Sequence, residues 1–365
     1  MTRRSTISLA FAAFLVIVLV LGAPAAPDLA GRDPLARDID RWSAFVRDTK
    51  STDENWAQIK EITEPVLAKS RAALRDKRRL LALQRLAAAR MYAAGFSWVL
   101  SIPAEQRRTI RQLDAEWSRT GRFLKAELGG ASPASFSAIH PAAVRAIAEA
   151  TIPQVRAYYD ASLEYGKSTM ADAGFLYLAA ARAQRDLIDL CRRLSTTSSL
   201  RPPPLRSLSS ELDVLEGELL AAYRPPASID KHSDFIAASA VLKEARELDA
   251  AGLRYGAMLR YLVAAQRTAL LQPNPPALSP AEIATQIRPL HDRLRSGGID
   301  HTIGRLFVES AEAETESPEP GKPSVASAIL VNVLPRYFAA LEASRAEPAK
   351  TAPRATVTLV RWPYT

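Results

Sequence analysis

Two histidine–aspartate pairs are the residues in this chain best suited to chemistry. His291-Asp292 and Asp300-His301 flank Gly297-Gly298. A carboxylate beside an imidazole orients the ring and favours its protonated form, as general acid–base catalysis requires. A helical hairpin turning at the two glycines would bring the pairs together. On that reading the chain is a hydrolase acting on cell-wall polymer, with His291, Asp292, Asp300 and His301 as its catalytic set. A plainer reading gives them no chemical part: Asp300 caps a helix beginning near Thr302, and both histidines lie on the surface. The other histidines are His140 and His232, and no two of the four stand at i, i+4. With no H-E-x-x-H and no E-x-x-H, neither a metal nor any other cofactor is expected.

Three shorter motifs lack parts they need. Gly166-Lys167-Ser168-Thr169 has the ending of a phosphate-binding loop, but Ala161 stands where that loop needs its first glycine. The preceding text also reads as helix rather than strand, so a solvent-exposed helix break is expected. Ser228-Ile229-Asp230-Lys231 matches the S-x-x-K of serine acyl-transfer enzymes, without their S-D-N and K-T-G elements. Ser228 as a helix cap accounts for the same letters. The single cysteine, Cys191, lies in an amphipathic stretch with no histidine nearby, and reads as packing. Glu61/Glu64 and Glu309/Glu312 have helical spacing. Glu309, Glu312, Glu314, Glu316 and Glu319 read as an exposed acidic edge.

Arginine offers binding chemistry instead. Arg71, Arg75, Arg78 and Arg85 recur by steps of four, three and seven, which places them near one stripe of a helix. Leu67, Leu74, Leu81 and Leu83 occupy other faces. The stripe is either a solvated face or a docking surface for anionic lipid or an acidic partner. Arg254, Arg260 and Arg267 surround Tyr255 and Tyr261 in another apolar stretch. They form a second candidate binding face, with core packing as the plainer role for the tyrosines.

The elements that must position these residues are helices. Of 365 residues, 48% are apolar and 24% charged, and Ala, Leu and Arg outnumber the β-branched residues. Apolar positions recur at helical period over Asp38 to Val46, Val66 to Leu100, Pro103 to Leu128, Gln154 to Tyr165 and Ala171 to Leu194. The pattern resumes over Leu205 to Tyr223, Asp234 to Leu248, Ala250 to Leu271, Ala281 to Leu294, Thr302 to Glu314 and Val325 to Ala343. Gly95 is expected to interrupt the second run, Pro153 to divide its region and Pro335 to kink the last helix. Residues 195–204, STTSSLRPPP, read as the clearest linker, and only Thr356 to Trp362 looks like a strand.

The first 26 residues follow the export pattern. Arg3 and Arg4 precede an apolar stretch from Ile7 to Leu21, and Ala23-Pro24-Ala25 supplies a small-residue cleavage site. The alternative is an uncleaved anchor through residues 7–23. No cysteine follows the core, so a lipid-modified cysteine is excluded. The formal net charge of +9 suits nucleic acid, but export argues against that partner. A protein partner in the cell envelope is expected, with an anionic membrane surface as a second candidate.

Three Ala-Gly segments around Gly95, Gly174 and Gly252, each with an aromatic three residues on, lie 79 and 78 residues apart and suggest an internal repeat. The expected fold is all-α. Its helix hairpins would stack antiparallel, as an α-solenoid-like array or an irregular multi-helix bundle, with at most one short C-terminal strand. Residues 1–25 would be signal or anchor and 26–36 a tether. Helical regions would span 37–200 and 201–345, leaving a tail at 346–365. The function expected is a non-enzymatic scaffold or adaptor of the bacterial cell envelope, exported to the periplasm, secreted or held at the inner membrane. The alternatives are the hydrolase above and a small-ligand-binding helical protein. Intact mass of the purified protein is expected to lack residues 1–25. A mass that includes them, with resistance to carbonate extraction, is the result an uncleaved anchor would give.

Overall fold

Apolar period, rather than proline or glycine punctuation, decides where these helices run. The computed structural model describes residues 33–346 apart from 129–130, 169, 197–198, 227 and 317–323. The export segment, most of the tether, Gly129-Gly130, the SPEPGKP stretch and the C-terminal tail with its expected strand lie outside the described residues. Among the described residues there are twelve helices and no sheet; Arg201 and Ile299 form one isolated bridge.

Helix α1 (Pro34–Asp48) starts where Asp33 accepts the Leu35 amide at 3.0 Å and Pro34 fills the first turn. It buries Leu35, Ile39, Trp42 and Val46. The run expected from Val66 to Leu100 is instead two helices, α2 (Glu54–Arg75) and α3 (Arg79–Leu100). The turn between them has no glycine: Lys77 takes the left-handed conformation, φ 61°. That conformation costs a side-chain-bearing residue roughly 1–2 kcal/mol. The Arg78 amide then reaches back to the Ala73 carbonyl at 2.8 Å and closes the helix end. Gly95 lies inside α3, where its bare Cα faces the Ala179 backbone.

Helix α4 (Ile110–Leu128) follows a short 3₁₀ turn at Ala104–Gln106. Next come α5 (Ala142–Ser168) and α6 (Ala171–Leu194), the pair in most extensive contact. Pro153 does not divide α5 but sits buried within it. Then follow α7 (Ser209–Ala222), α8 (His232–Ala250) and α9 (Arg254–Leu271). Helices α10 (Pro280–Arg295), α11 (Thr302–Glu316) and α12 (Val325–Ala346) complete the described fold. In α12 a π-helical turn at Ile329–Val333 precedes Pro335. The wider turn accommodates a residue that has no N–H and whose ring crowds the carbonyl four positions back. By length and composition α12 could cross a membrane, yet Ile329, Val333 and Tyr337 in it are fully buried.

Contacts run in the order α2, α3, α6, α5, α9, α8. Helix α1 packs on α2 and α3, α4 on α5 and α6, and α7 on α8 and α9. Helix α11 reaches α3 and α5 from the other end of the chain. The main hydrophobic core draws on residues from Leu35 to Leu341, and Met91, Tyr92 and Ala180 form a small second cluster against which Tyr158 packs. The expected linker at 195–204 is pinned where it is described: Arg201 N donates to the Gly298 carbonyl at 3.0 Å, and the Tyr255 hydroxyl donates to the Pro203 carbonyl at 3.1 Å.

The Gly-aromatic repeat does not survive. Gly95 lies late in α3, Gly174 in the first turn of α6, and Gly252 in the α8–α9 turn at φ 75°. The three glycines occupy unlike positions with unlike neighbours, so their spacing reflects alanine-rich composition.

Helices α5 and α9 meet at one unusual joint. Glu149 is fully buried, and its Oε1 accepts from Arg145 Nε at 2.7 Å. Its Oε2 accepts from the Gly256 amide at 2.8 Å, an orphan donor of the α9 N-terminus. A Cβ on Gly256 would stand 2.8 Å from Glu149 Cβ and 2.9 Å from the Ala150 nitrogen. Gly256→Ala is therefore expected to destabilise the protein by about 1–3 kcal/mol. Gly217→Ala, where nothing lies within 4 Å of the added atom on α7, should stabilise it by about 0.5–1 kcal/mol. Urea unfolding midpoints of the two variants test the pair.

Candidate functional site

The four residues of the expected hydrolase do not form one site. His291 Nε2 pairs with Glu312 Oε1 at 2.7 Å, and Asp292 is exposed. Asp300 caps two helices rather than one. Its Oδ1 accepts the Thr302 amide at 3.0 Å, at the start of α11, and its Oδ2 accepts the Ala142 amide at 2.6 Å, at the start of α5. His301 is not on the surface but buried, with Nδ1 3.1 Å from the Tyr337 hydroxyl. Among the described residues no three of His, Cys, Asp and Glu converge as metal ligands.

The weaker motifs resolve into packing. Gly166 is not a solvent-exposed break: it is buried, and a Cβ there would meet Leu113 and the Gly174 Cα across the α5–α6 turn. The Ser228 hydroxyl makes no helix cap but accepts the Arg224 amide at 2.7 Å. Lys231 Nζ donates to the Leu271 carbonyl at 3.2 Å, at the end of α9. Cys191 is fully buried, and burial pushes its thiol up to about 12, so it stays protonated.

The arginine stripe and the acidic edge largely answer each other. Arg78 binds Glu316 through both terminal nitrogens and stands 3.5 Å from Glu312, tying the α2–α3 turn to α11. Glu309 is not at an exposed edge: it is buried and accepts the Leu81 amide at 3.1 Å. Arg85 turns inward to the Lys69 carbonyl at 3.1 Å, and Arg71 pairs with Asp40 at 2.7 Å on the surface. Arg75 alone of the four is exposed with no ion pair among the described residues.

The second arginine set leads to a different arrangement. Arg254 opens α9 and donates back across the turn to the Asp249 carbonyl at 2.6 Å. Tyr261 is core, with its hydroxyl 3.3 Å from Arg336, and Tyr255 holds Pro203. Arg260 and Arg267 stand seven residues apart and share one face of α9. Arg260 Nε lies 2.9 Å from Glu244 Oε2 on α8, and both side chains are mostly buried, at 15% and 13% exposure. Arg260 also donates to the Ala150 carbonyl at 3.3 Å.

Next to this pair is a group of tyrosines. Tyr158 on α5 interacts electrostatically with Glu244 and Arg260, and with Tyr92 on α3 and Tyr177 on α6. The Tyr158 and Tyr177 rings are 6.2 Å apart. Tyr177 stacks on Tyr165 at 4.5 Å with planes 9° apart. The result is a polar seam contributed by α3, α5, α6, α8 and α9. Burial pushes the Tyr92 phenol up to about 12 and raises those of Tyr158 and Tyr177 as well, so all three remain neutral donors at physiological pH.

Several polar groups in the seam lack a hydrogen-bond partner among the described residues, Glu244 Oε2 and Arg260 Nε among them although they face each other as an ion pair. The Tyr158 hydroxyl makes no hydrogen bond. Half-buried Arg267 makes neither a hydrogen bond nor an ion pair; the charges acting on it are Arg260, Asp234 and Glu244. The seam therefore offers recognition: the Tyr158 phenol, aromatic edges and the Arg267 guanidinium. Elsewhere, a cavity of about 40 Å³ bordered by Ile152, Arg156, Glu247 and Leu253 holds little more than a water. No known protein family, curated protein or solved structure matches this chain.

The sequence named Arg260 and Arg267 but missed Tyr158, Tyr177 and Glu244. Tyr158 and Tyr165 repeat the seven-residue step of the two arginines, and that shared step was the available signal. Glu244 had none, being one acid among many on helices.

Removing Arg260 leaves Glu244 as a buried unpaired charge, so Arg260→Ala should cost about 3 kcal/mol at pH 7. Burial already raises the Glu244 carboxyl, against the pull of Arg260. Without Arg260 it rises further, and protonation then relieves the penalty as pH falls through the raised value. The cost should thus be smaller at pH 5 than at pH 7. Arg267→Ala, which breaks no ion pair, should cost less than about 1 kcal/mol at either pH. Urea titrations at both pH values measure these differences.

Proposed function

We propose that this chain is a non-enzymatic helical scaffold or adaptor of the bacterial cell envelope, which binds a protein partner along the polar seam. The observation that carries the reading is the seam itself. Five helices contribute aromatic and charged groups to one seam, in which the Tyr158 hydroxyl makes no hydrogen bond and half-buried Arg267 makes no direct ion pair among the described residues. Buried or half-buried polar groups ordinarily find partners, so a face that leaves them open suits a ligand that completes the set. Tyrosine and arginine are also the residues that most often dominate protein interfaces.

The envelope location rests on the N-terminal export pattern, with periplasmic, secreted and membrane-anchored forms all compatible with it. The hydrolase reading is weaker. Its four candidates are separately engaged: His291 with Glu312, Asp300 as a double cap and His301 with Tyr337, while Asp292 stands exposed.

The test is site-specific photocrosslinking in intact envelopes. A photoreactive phenylalanine analogue at position 158 should give a discrete adduct with a second protein. The same analogue at Val214, which is 59% exposed on α7, should not. No adduct from position 158, or identical adducts from both positions, would contradict the proposal.

A further inference from the structure

We infer that the partner presents an acidic peptide segment, with a carboxylate seated on Arg267 and the neighbouring chain lying over Tyr158. The inference rests on the seam being the docking face and specifies what that face recognises. Its first support is that half-buried Arg267 makes no direct ion pair among the described residues, although Asp234 and Glu244 act on it at longer range. Glu244 is engaged by Arg260, and Asp234 is exposed and makes no ion pair with Arg267. A guanidinium drawn out of water without a partner is unfavourable, and burial indeed pushes Arg267 below its ordinary pKa. A carboxylate would restore two parallel charge-assisted hydrogen bonds in a geometry that guanidinium matches.

The second support is the tyrosine. The Tyr158 hydroxyl has no hydrogen bond among the described residues, and burial keeps it protonated. It is therefore a donor, as Arg267 is, and an acceptor-only ligand suits both. The third is shape. Arg260 and Glu244, beside Arg267, are mostly buried between α8 and α9. A single side chain projecting from an extended segment can reach a half-buried guanidinium such as Arg267, whereas the plane of lipid headgroups meets protruding charges such as Arg75. Peptide is thus favoured over membrane for this surface.

The experiment uses the full chain and a labelled oligoglutamate peptide, with oligoglutamine as the uncharged match. Oligoglutamate should bind saturably at physiological salt, and oligoglutamine should not. Arg267→Gln should weaken binding about tenfold, the loss of one charge-assisted contact. Arg267→Lys should recover part of it, because charge returns without the fork. Arg75→Gln, which alters an exposed charge far from the seam in sequence, should leave binding unchanged. Equal losses from Arg75→Gln and Arg267→Gln would reveal only attraction to a basic protein and overturn the inference, as would unchanged binding in a folded Arg267→Gln variant. Competition separates this inference from the scaffold reading. If the adduct from position 158 persists in excess oligoglutamate, the acidic-segment inference fails and the scaffold stands. If no adduct forms at all, the scaffold reading itself fails.

Discussion

A carboxylate with no exposure to water holds the middle of this fold together. Glu149 receives one hydrogen bond from Arg145, a turn earlier on α5, and one from the Gly256 amide in the first turn of α9. Both acceptor oxygens are thereby engaged, which a buried carboxylate requires. The second bond forces the backbones of α5 and α9 together, so position 256 can carry no Cβ without displacing Glu149 or Ala150. The same joint extends outward. The Arg145 guanidinium lies 4.3 Å from the centre of the Tyr255 ring, and the Tyr255 hydroxyl fastens Pro203. Glu149 thus fixes α5 against α9, and through Tyr255 it fixes the segment connecting α6 to α7.

The rest of the polar interior follows the same habit of joining distant helices through one charged group. Asp300 caps α5 and α11 at once. Arg90 on α3 meets Asp38 on α1 at 2.8 Å, and Arg336 on α12 meets Glu218 on α7 at 2.6 Å. The basic α2–α3 turn is held to the acidic α11 through Arg78. Many of the arginines that make the chain basic are therefore committed to internal partners. Against that background the unpaired guanidinium of Arg267 is what distinguishes the seam from an ordinary helix interface.

Much of the helical layout was legible in the sequence because apolar period survives any packing. Ala171 to Leu194 was readable to the residue. Punctuation misled where tertiary contact overrode it. Lys77 turns a hairpin that no glycine announces, Gly95 and Pro153 sit inside helices, and Pro335 is absorbed by a π-helical turn. In each case neighbouring helices supply the stabilisation that offsets the local cost, and one sequence read alone does not contain them. The candidate site was half legible for a related reason. Arg260 and Arg267 share a face by spacing alone, but that α5, α6 and α8 bring Tyr158, Tyr177 and Glu244 to that face is set by which helices become neighbours. The same ignorance of neighbours made Glu309 look like surface and His301 look exposed.

The Glu149–Gly256 joint belongs, on these contacts, to the most stable part of the molecule. The direct measurement is native-state hydrogen exchange at the Gly256 amide. A first-turn helix amide normally has no intrahelical partner and exchanges readily. Here its hydrogen bond to a fully buried carboxylate predicts exchange only through global unfolding, with an opening free energy equal to that of the α5 and α6 core amides. Exchange at the rate of an unprotected amide would show instead that α9 separates from α5 independently and that the joint does not hold the two helices together.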